Sequence, residues 1–168
     1  MNEEQMDQTK KRLSFLYIAR EELIEARRYA AAQLKSEWFI NGGQHESPEV
    51  KALDLSLIIS YARPFKQNYG FGNVQDLLDE ASKHFDSEET SLHDEIIALR
   101  DQEYAHSDAE ANDVDIYLDD MFEYSKKVIR VPLDRTMVNH ISQMVGKLVA
   151  SFDKQINELR QELLKIKT

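Results

Sequence analysis

The sequence predicts an all-α fold, an antiparallel bundle of four or more helices. Three observations carry that expectation. Apolar residues recur at helical spacing over most of the chain. Glycine and proline, five and three among 168 residues, are too scarce to punctuate a β-rich fold. The stretches that do break the pattern are short, as they are between neighbouring helices of a bundle. The length fits one domain over residues 1–168, since a single domain takes roughly 100–200 residues.

The first helix is expected over residues 7–40. Leu13, Leu16, Leu23, Ala30, Leu34 and Trp38 are spaced by three, four or seven and form one stripe. Arg20 and Arg27 fall on or beside it. Their stems would pack while their heads snorkel or pair with glutamate, or they would line a polar pocket inside the bundle. Asn41-Gly42-Gly43 stops the helix. The next opens at Ser47-Pro48, with Ser47 as N-cap and Pro48 at the first helical position. Its run Leu53 to Ile59 is apolar nearly all round, which makes it central. Arg63-Pro64 should end it, because the residue before proline avoids the helical region.

Pro64 to Asn73 reads as an aromatic, glycine-containing loop. It would serve either as a binding loop or as a plug that seats Phe65, Tyr69 and Phe71 at the end of the bundle. A short helix follows over residues 74–84. Asp86-Ser87-Glu88-Glu89 opens another, with acidic residues favoured in its first turn. Leu92, Ile96 and Leu99 mark its buried face, and it continues through Arg100 and Tyr104. Asp113 to Leu118 alternates polar and apolar residues, as a strand does, and Lys127 to Val131 is its expected hairpin partner. A short helix over residues 121–126 is the competing reading. Pro132 opens the last helix, over residues 132–165. Its stripe is Val138, Ile141, Val145, Leu148, Phe152, Ile156, Leu159 and Leu163.

Composition narrows the chemistry. Lysine and arginine total 21 against 31 aspartate and glutamate, a net charge of −10. A broad basic coat for nucleic acid is therefore excluded, though a local basic pocket is not. The absence of cysteine removes disulfides, thiolate catalysis and cysteine-ligated metal sites, and it fits a reducing, cytoplasmic setting. No apolar run approaches the ~20 residues of a membrane span, and Met1 to Leu13 lacks the order of a signal peptide. No membrane association, cofactor or metal is expected. Glu103 and His106 form one Glu-x-x-His, but a di-iron bundle needs two such motifs and two further glutamates. Glu80 with His84, and Glu89 with His93, are i, i+4 pairs that read as exposed helix faces.

The informative segment is Leu99-Arg100-Asp101, then four residues, then His106-Ser107-Asp108. On a continuous helix six residues advance about 600°, which leaves Arg100 and His106 some 120° apart. They converge only if the helix ends or distorts near His106, or if a second protomer completes the site. A structural reading of the same residues also exists. Arg100 would pair with Glu103 at i+3, His106 would sit at a helix C-terminus favoured by the macrodipole, and Asp108 would cap the following turn.

The segment resembles the signature of HEPN-domain proteins: an arginine, a polar residue, then a histidine after a gap of four to six residues. The wider spelling, Leu99-Arg100 followed by Ala105-His106-Ser107-Asp108, is similar to helical HEPN proteins of abortive-infection and toxin–antitoxin systems. The motif covers about seven residues. The resemblance implies a helical bundle that forms a homodimer and brings two copies of the motif into one cleft. It implies metal-independent RNA cleavage, with Arg100 on the scissile phosphate, Asp101 orienting the arginine or histidine, and His106 in proton transfer. A protein partner such as an antitoxin is implied as well. Arg63, Tyr104 and Asp108 are the accompanying substrate-binding candidates. Arg63, Lys66, Arg20 and Arg27 could supply local positive potential. In one subgroup a tyrosine lies two residues after the histidine; here Asp108 holds that position, so regulation by modifying that tyrosine is not expected. The alternative to a nuclease is a non-catalytic helical interaction or dimerisation module of the same fold.

Overall fold

The structure, a computed structural model, describes residues 3–36, 48–66, 73–104, 112–117, 123–128 and 133–165. In chain order these form α1 (Glu3–Lys35), α2 (Pro48–Lys66), α3 (Val74–His84), α4 (Ser87–Tyr104), β1 (Asn112–Tyr117), β2 (Glu123–Val128) and α5 (Arg135–Lys165). The expected all-α bundle is present, with a single described hairpin between α4 and α5. Among the described residues no helix is long and apolar enough to cross a membrane.

Helix α1 packs along α2 and α5, and α2 packs on α4. α1 and α2 are antiparallel: Glu22 meets Arg63, and further along α1 Gln33 donates to Asp54. Along α2 and α4 the contacts advance in the same sense, Tyr61 with His93 and Lys66 with Asp101, with the short α3 carrying the chain back. The core lies between these helices. Its largest members are Tyr61, Leu23, Leu57, Ile96, Met144 and Phe152. Each is fully buried, a contribution of ~1.5–3 kcal/mol per large apolar side chain.

Several helix ends differ from expectation, each for a local reason. Helix α1 starts at Glu3 rather than residue 7, with Glu3 and Glu4 placed to offset the N-terminal dipole. It closes at Lys35, short of residue 40. There the Ser36 amide and hydroxyl both donate to the Gln33 carbonyl, at 3.0 and 2.7 Å, and so satisfy one of the last orphan carbonyls. Trp38, Asn41-Gly42-Gly43 and Ser47 lie outside the described residues. Helix α2 does not stop before Pro64 but carries it inside its last turn, to Lys66. Burial of Phe65, edge-on to His93 with ring centroids 4.7 Å apart, outweighs the local bias that proline imposes. Phe65 is thus a core residue, as the plug reading had it. Tyr69 and Phe71 lie outside the described residues.

Helix α5 begins at Arg135, not Pro132. Asp134 is the better cap: its side chain accepts from the Met137 amide at 2.8 Å and its carbonyl from Val138 at 3.0 Å. The second strand also lies earlier than expected. β2 pairs antiparallel with β1 from Asn112↔Val128 to Tyr117↔Glu123. This replaces the competing helix over 121–126 where the two overlap. Pairing at Glu123 closes a shorter loop than pairing at Lys127 would, and the shorter closure costs less entropy. Residues 129–131 lie outside the described part.

Candidate functional site

The C-terminal ends of α2 and α4 meet at one ionic cluster. Asp101 on α4 accepts from two cations. Lys66 Nζ lies 2.7 Å from its Oδ2, and Arg100 Nη1 lies 3.0 Å from its Oδ1. Local sequence sets this up. Phe65 is buried, so the residue after it emerges at the rim of the core. Leu99 packs against the core edge and leaves Arg100 and Asp101 half-exposed beside it. The hydrogen bond from Lys66 holds the Asp101 carboxyl below the usual aspartate range; burial opposes it, and the hydrogen bond from Arg100 adds to the lowering. Arg100 pairs with its neighbour Asp101, and the side chain of Glu103, the i+3 partner that spacing suggested, lies outside the described part.

The structure therefore brings Arg100, Asp101 and Lys66 together. Arg63 is held across to α1, where its Nη1 donates to both carboxylate oxygens of Glu22 at 2.8 and 2.7 Å. Tyr104 is the last residue of α4, and its side chain lies outside the described part. His106 and Asp108 lie outside the described residues as well. Of the other two arginines, Arg20 bonds Asp153 on α5 at 2.5 Å and Glu21 at 2.6 Å, while Arg27 is exposed. The pairing option thus describes Arg20, with an acidic partner on α5 that the sequence did not point to.

Three further polar contacts join elements far apart in sequence. The Tyr61 hydroxyl and His93 Nδ1 share a buried hydrogen bond of 2.9 Å. Glu89 serves α4 twice. With Asp86 it forms a reciprocal capping box, Glu89 N–H to Asp86 at 2.9 Å and Asp86 N–H to Glu89 at 3.1 Å. Its carboxylate also takes Lys147 Nζ of α5 at 2.6 Å. Glu80 accepts from Ser151, from Lys83 at 3.0 Å and from His84 at 3.1 Å. Burial pushes the Glu80 carboxyl up, but those three donors outweigh it and bring it to about 2.

Ser151 bonds the carboxylate rather than His84, so these groups are not arranged as a nucleophile with its base. The i, i+4 pairs part company too. Glu80 touches His84, whereas Glu89 turns to Lys147 and His93 to Tyr61. Among the described residues no three histidine, aspartate or glutamate side chains are grouped to hold a metal ion. No family model matches the chain, and neither the curated proteins nor the solved structures give a match.

Proposed function

We propose that the chain is a metal-independent endoribonuclease of the HEPN type, a toxin or phage-defence effector that acts as a homodimer. The observation that supports this reading best is the Arg100–Asp101 pair, fixed from α2 by Lys66 near the end of a late helix of an all-helical bundle. A guanidinium held by a carboxylate is preorganised to meet phosphate oxygens, and it can stabilise the charge of a pentavalent transition state. Asp101 is the positioning residue for Arg100. His106 takes the proton from the ribose 2′-hydroxyl, and its two-fold mate gives one to the departing 5′-oxygen. The 2′-oxygen bonds to phosphorus as the P–O5′ bond breaks. The products are a 2′,3′-cyclic phosphate and a 5′-hydroxyl.

The test is RNA cleavage in EDTA by the wild-type protein beside Arg100→Ala and His106→Ala, with product ends identified. The reading expects cyclic phosphate ends from the wild type alone. Equal cleavage by all three proteins overturns it. A non-catalytic interaction module is the second reading. It is favoured by the fact that Asp101 already engages both Arg100 and Lys66 within one chain. A folded dimer that cleaves none of several RNA substrates would select it.

A further inference from the structure

A groove between α1, α3 and α5 stands apart from the Arg100 cluster. Its inner lobe is a cavity of about 390 Å³ with Lys11, Arg12, Asp76 and Asp79 on its walls. Its outer lobe, about 690 Å³ and open, is lined by Arg12, Lys83, Lys147 and Lys154. The lobes are continuous through Arg12, Glu80, Lys83 and Gln155, which line both. Each volume is in the ~300–1,000 Å³ range of small-molecule sites.

The wall between the lobes is built rather than incidental. Arg12 donates to the Gln155 amide oxygen at 3.3 Å, and the Gln155 amide nitrogen reaches Ser151 at 3.5 Å. Ser151 donates to Glu80, which is also bonded to Lys83 and His84. Lys147 donates to the His84 carbonyl at 3.3 Å and is tied to Glu89. This chain of bonds links α1, α3, α4 and α5 and fixes the side chains that face the groove. Four of the outer lobe's lining residues are lysine or arginine and two are glutamate, in a protein of net charge −10. Among the described residues neither Arg12 nor Lys154 is in an ion pair with a carboxylate.

From this we infer that the groove binds a small phosphate ester of nucleotide size. The phosphate sits in the outer lobe on Arg12 and Lys154, which have charge to offer; Lys83 and Lys147 are already tied to carboxylates. The carboxylates of Asp76 and Asp79 in the inner lobe accept from hydroxyl or amine groups on the rest of the ligand. An RNA strand fits less well. Its successive phosphates would have to pass the carboxylates of Asp76, Asp79 and Glu158 that line this groove, whereas a ligand of two or three charges meets mainly the local cations.

The probes are ADP, inorganic pyrophosphate and adenosine, titrated calorimetrically in EDTA against the full chain. ADP and pyrophosphate bind saturably, and adenosine does not. The double variant Arg12→Ala/Lys154→Ala weakens both by roughly tenfold or more, as the loss of charge-assisted hydrogen bonds requires. Asp79→Ala weakens ADP and spares pyrophosphate. Arg28→Ala, an exposed arginine on the same helix that pairs with Glu25, changes neither. Arg12 and Lys154 are exposed, so their variants keep the fold, which circular dichroism checks. Failure of ADP and pyrophosphate to bind overturns the proposal, and so does equal binding by the double variant. It is overturned equally if a single-stranded RNA occupies the groove and ADP does not.

Discussion

The Tyr61 hydroxyl lies 2.9 Å from Nδ1 of His93, and both side chains are buried between α2 and α4. Phe65 and Phe85 close the pocket, with ring centroids 4.7 and 5.7 Å from the imidazole. Burial lowers the His93 pKa, with neighbouring Asp94 opposing it, so the folded protein favours neutral imidazole. The unfolded chain takes up that proton first as pH falls. The stability this residue contributes is therefore present above its unfolded pKa of about 6.5 and is lost as pH drops from there through the lower folded value. Urea denaturation at about pH 7.5 and about pH 5.5 should show a loss of stability in the wild type and a smaller one in His93→Gln. An equal loss in the two proteins would show that His93 is not the group responsible.

Glu80 works in a lower pH window. Its carboxyl titrates at about 2 in the fold against 4.5 when free, so its contribution is present above 4.5 and is lost as pH falls towards 2. Glu80→Gln removes the charge that Ser151, Lys83 and His84 converge on. We expect a cost of about 1–2 kcal/mol at neutral pH, since hydrogen bonds to a charged group are the stronger kind. The difference between wild type and variant should shrink below about pH 4.5. A difference that stays constant down to pH 3 would assign the cost to packing instead.

Asp101 connects the two cations of the candidate site, which makes its removal a test of position rather than of chemistry. Asp101→Asn keeps the shape but gives Lys66 and Arg100 no anion to share. On the ribonuclease reading kcat falls roughly 10–100-fold while KM changes little, the size of effect that slight misplacement of a reacting group produces. Stability should move by no more than about 0.5 kcal/mol, because the residue is half-exposed. An unchanged kcat removes Asp101 from the positioning role and leaves Arg100 to be tested on its own.

What was legible in the sequence follows one physical line. Periodicity records which face of a helix is buried, and so it identified Leu92 and Ile96 on α4 and the stripe from Val138 to Ile156 on α5. It under-read α1, where the buried face also includes Phe15 beside Leu16, and Ala19 and Ala26, small residues that fill a tightly packed seam without raising the pattern. Met144 on α5, like Phe15, is a large buried side chain beside a residue of the stripe, here Val145, and spacing alone does not single it out. Periodicity has no access to pairing between elements. Lys66 with Asp101, Lys147 with Glu89 and Tyr61 with His93 join residues 32 to 58 positions apart, or lie across two helices, and only the fold brings them together. In the candidate site the residues Arg100 and Asp101 were readable from the motif. That Lys66 completes the cluster, and that Arg63 turns instead to Glu22, was not.

Gly146 lies in the interior of α5, between buried Val145 and exposed Lys147. A glycine inside a helix is less favourable than alanine by ~0.5–1 kcal/mol, because it loses more backbone freedom on folding. Among the described residues nothing requires it: a Cβ built on Gly146 meets no atom of a neighbouring element within 4 Å. Gly146→Ala should therefore stabilise the protein by about 0.5–1 kcal/mol, a rise in Tm of about 1–4 °C for a domain of this size. Calorimetry on the variant reads this directly, and its concentration dependence adds a second answer. If alanine destabilises instead, and does so only at concentrations where the chain self-associates, then a second protomer approaches α5 at this glycine. The same open position would then locate the face through which two copies meet.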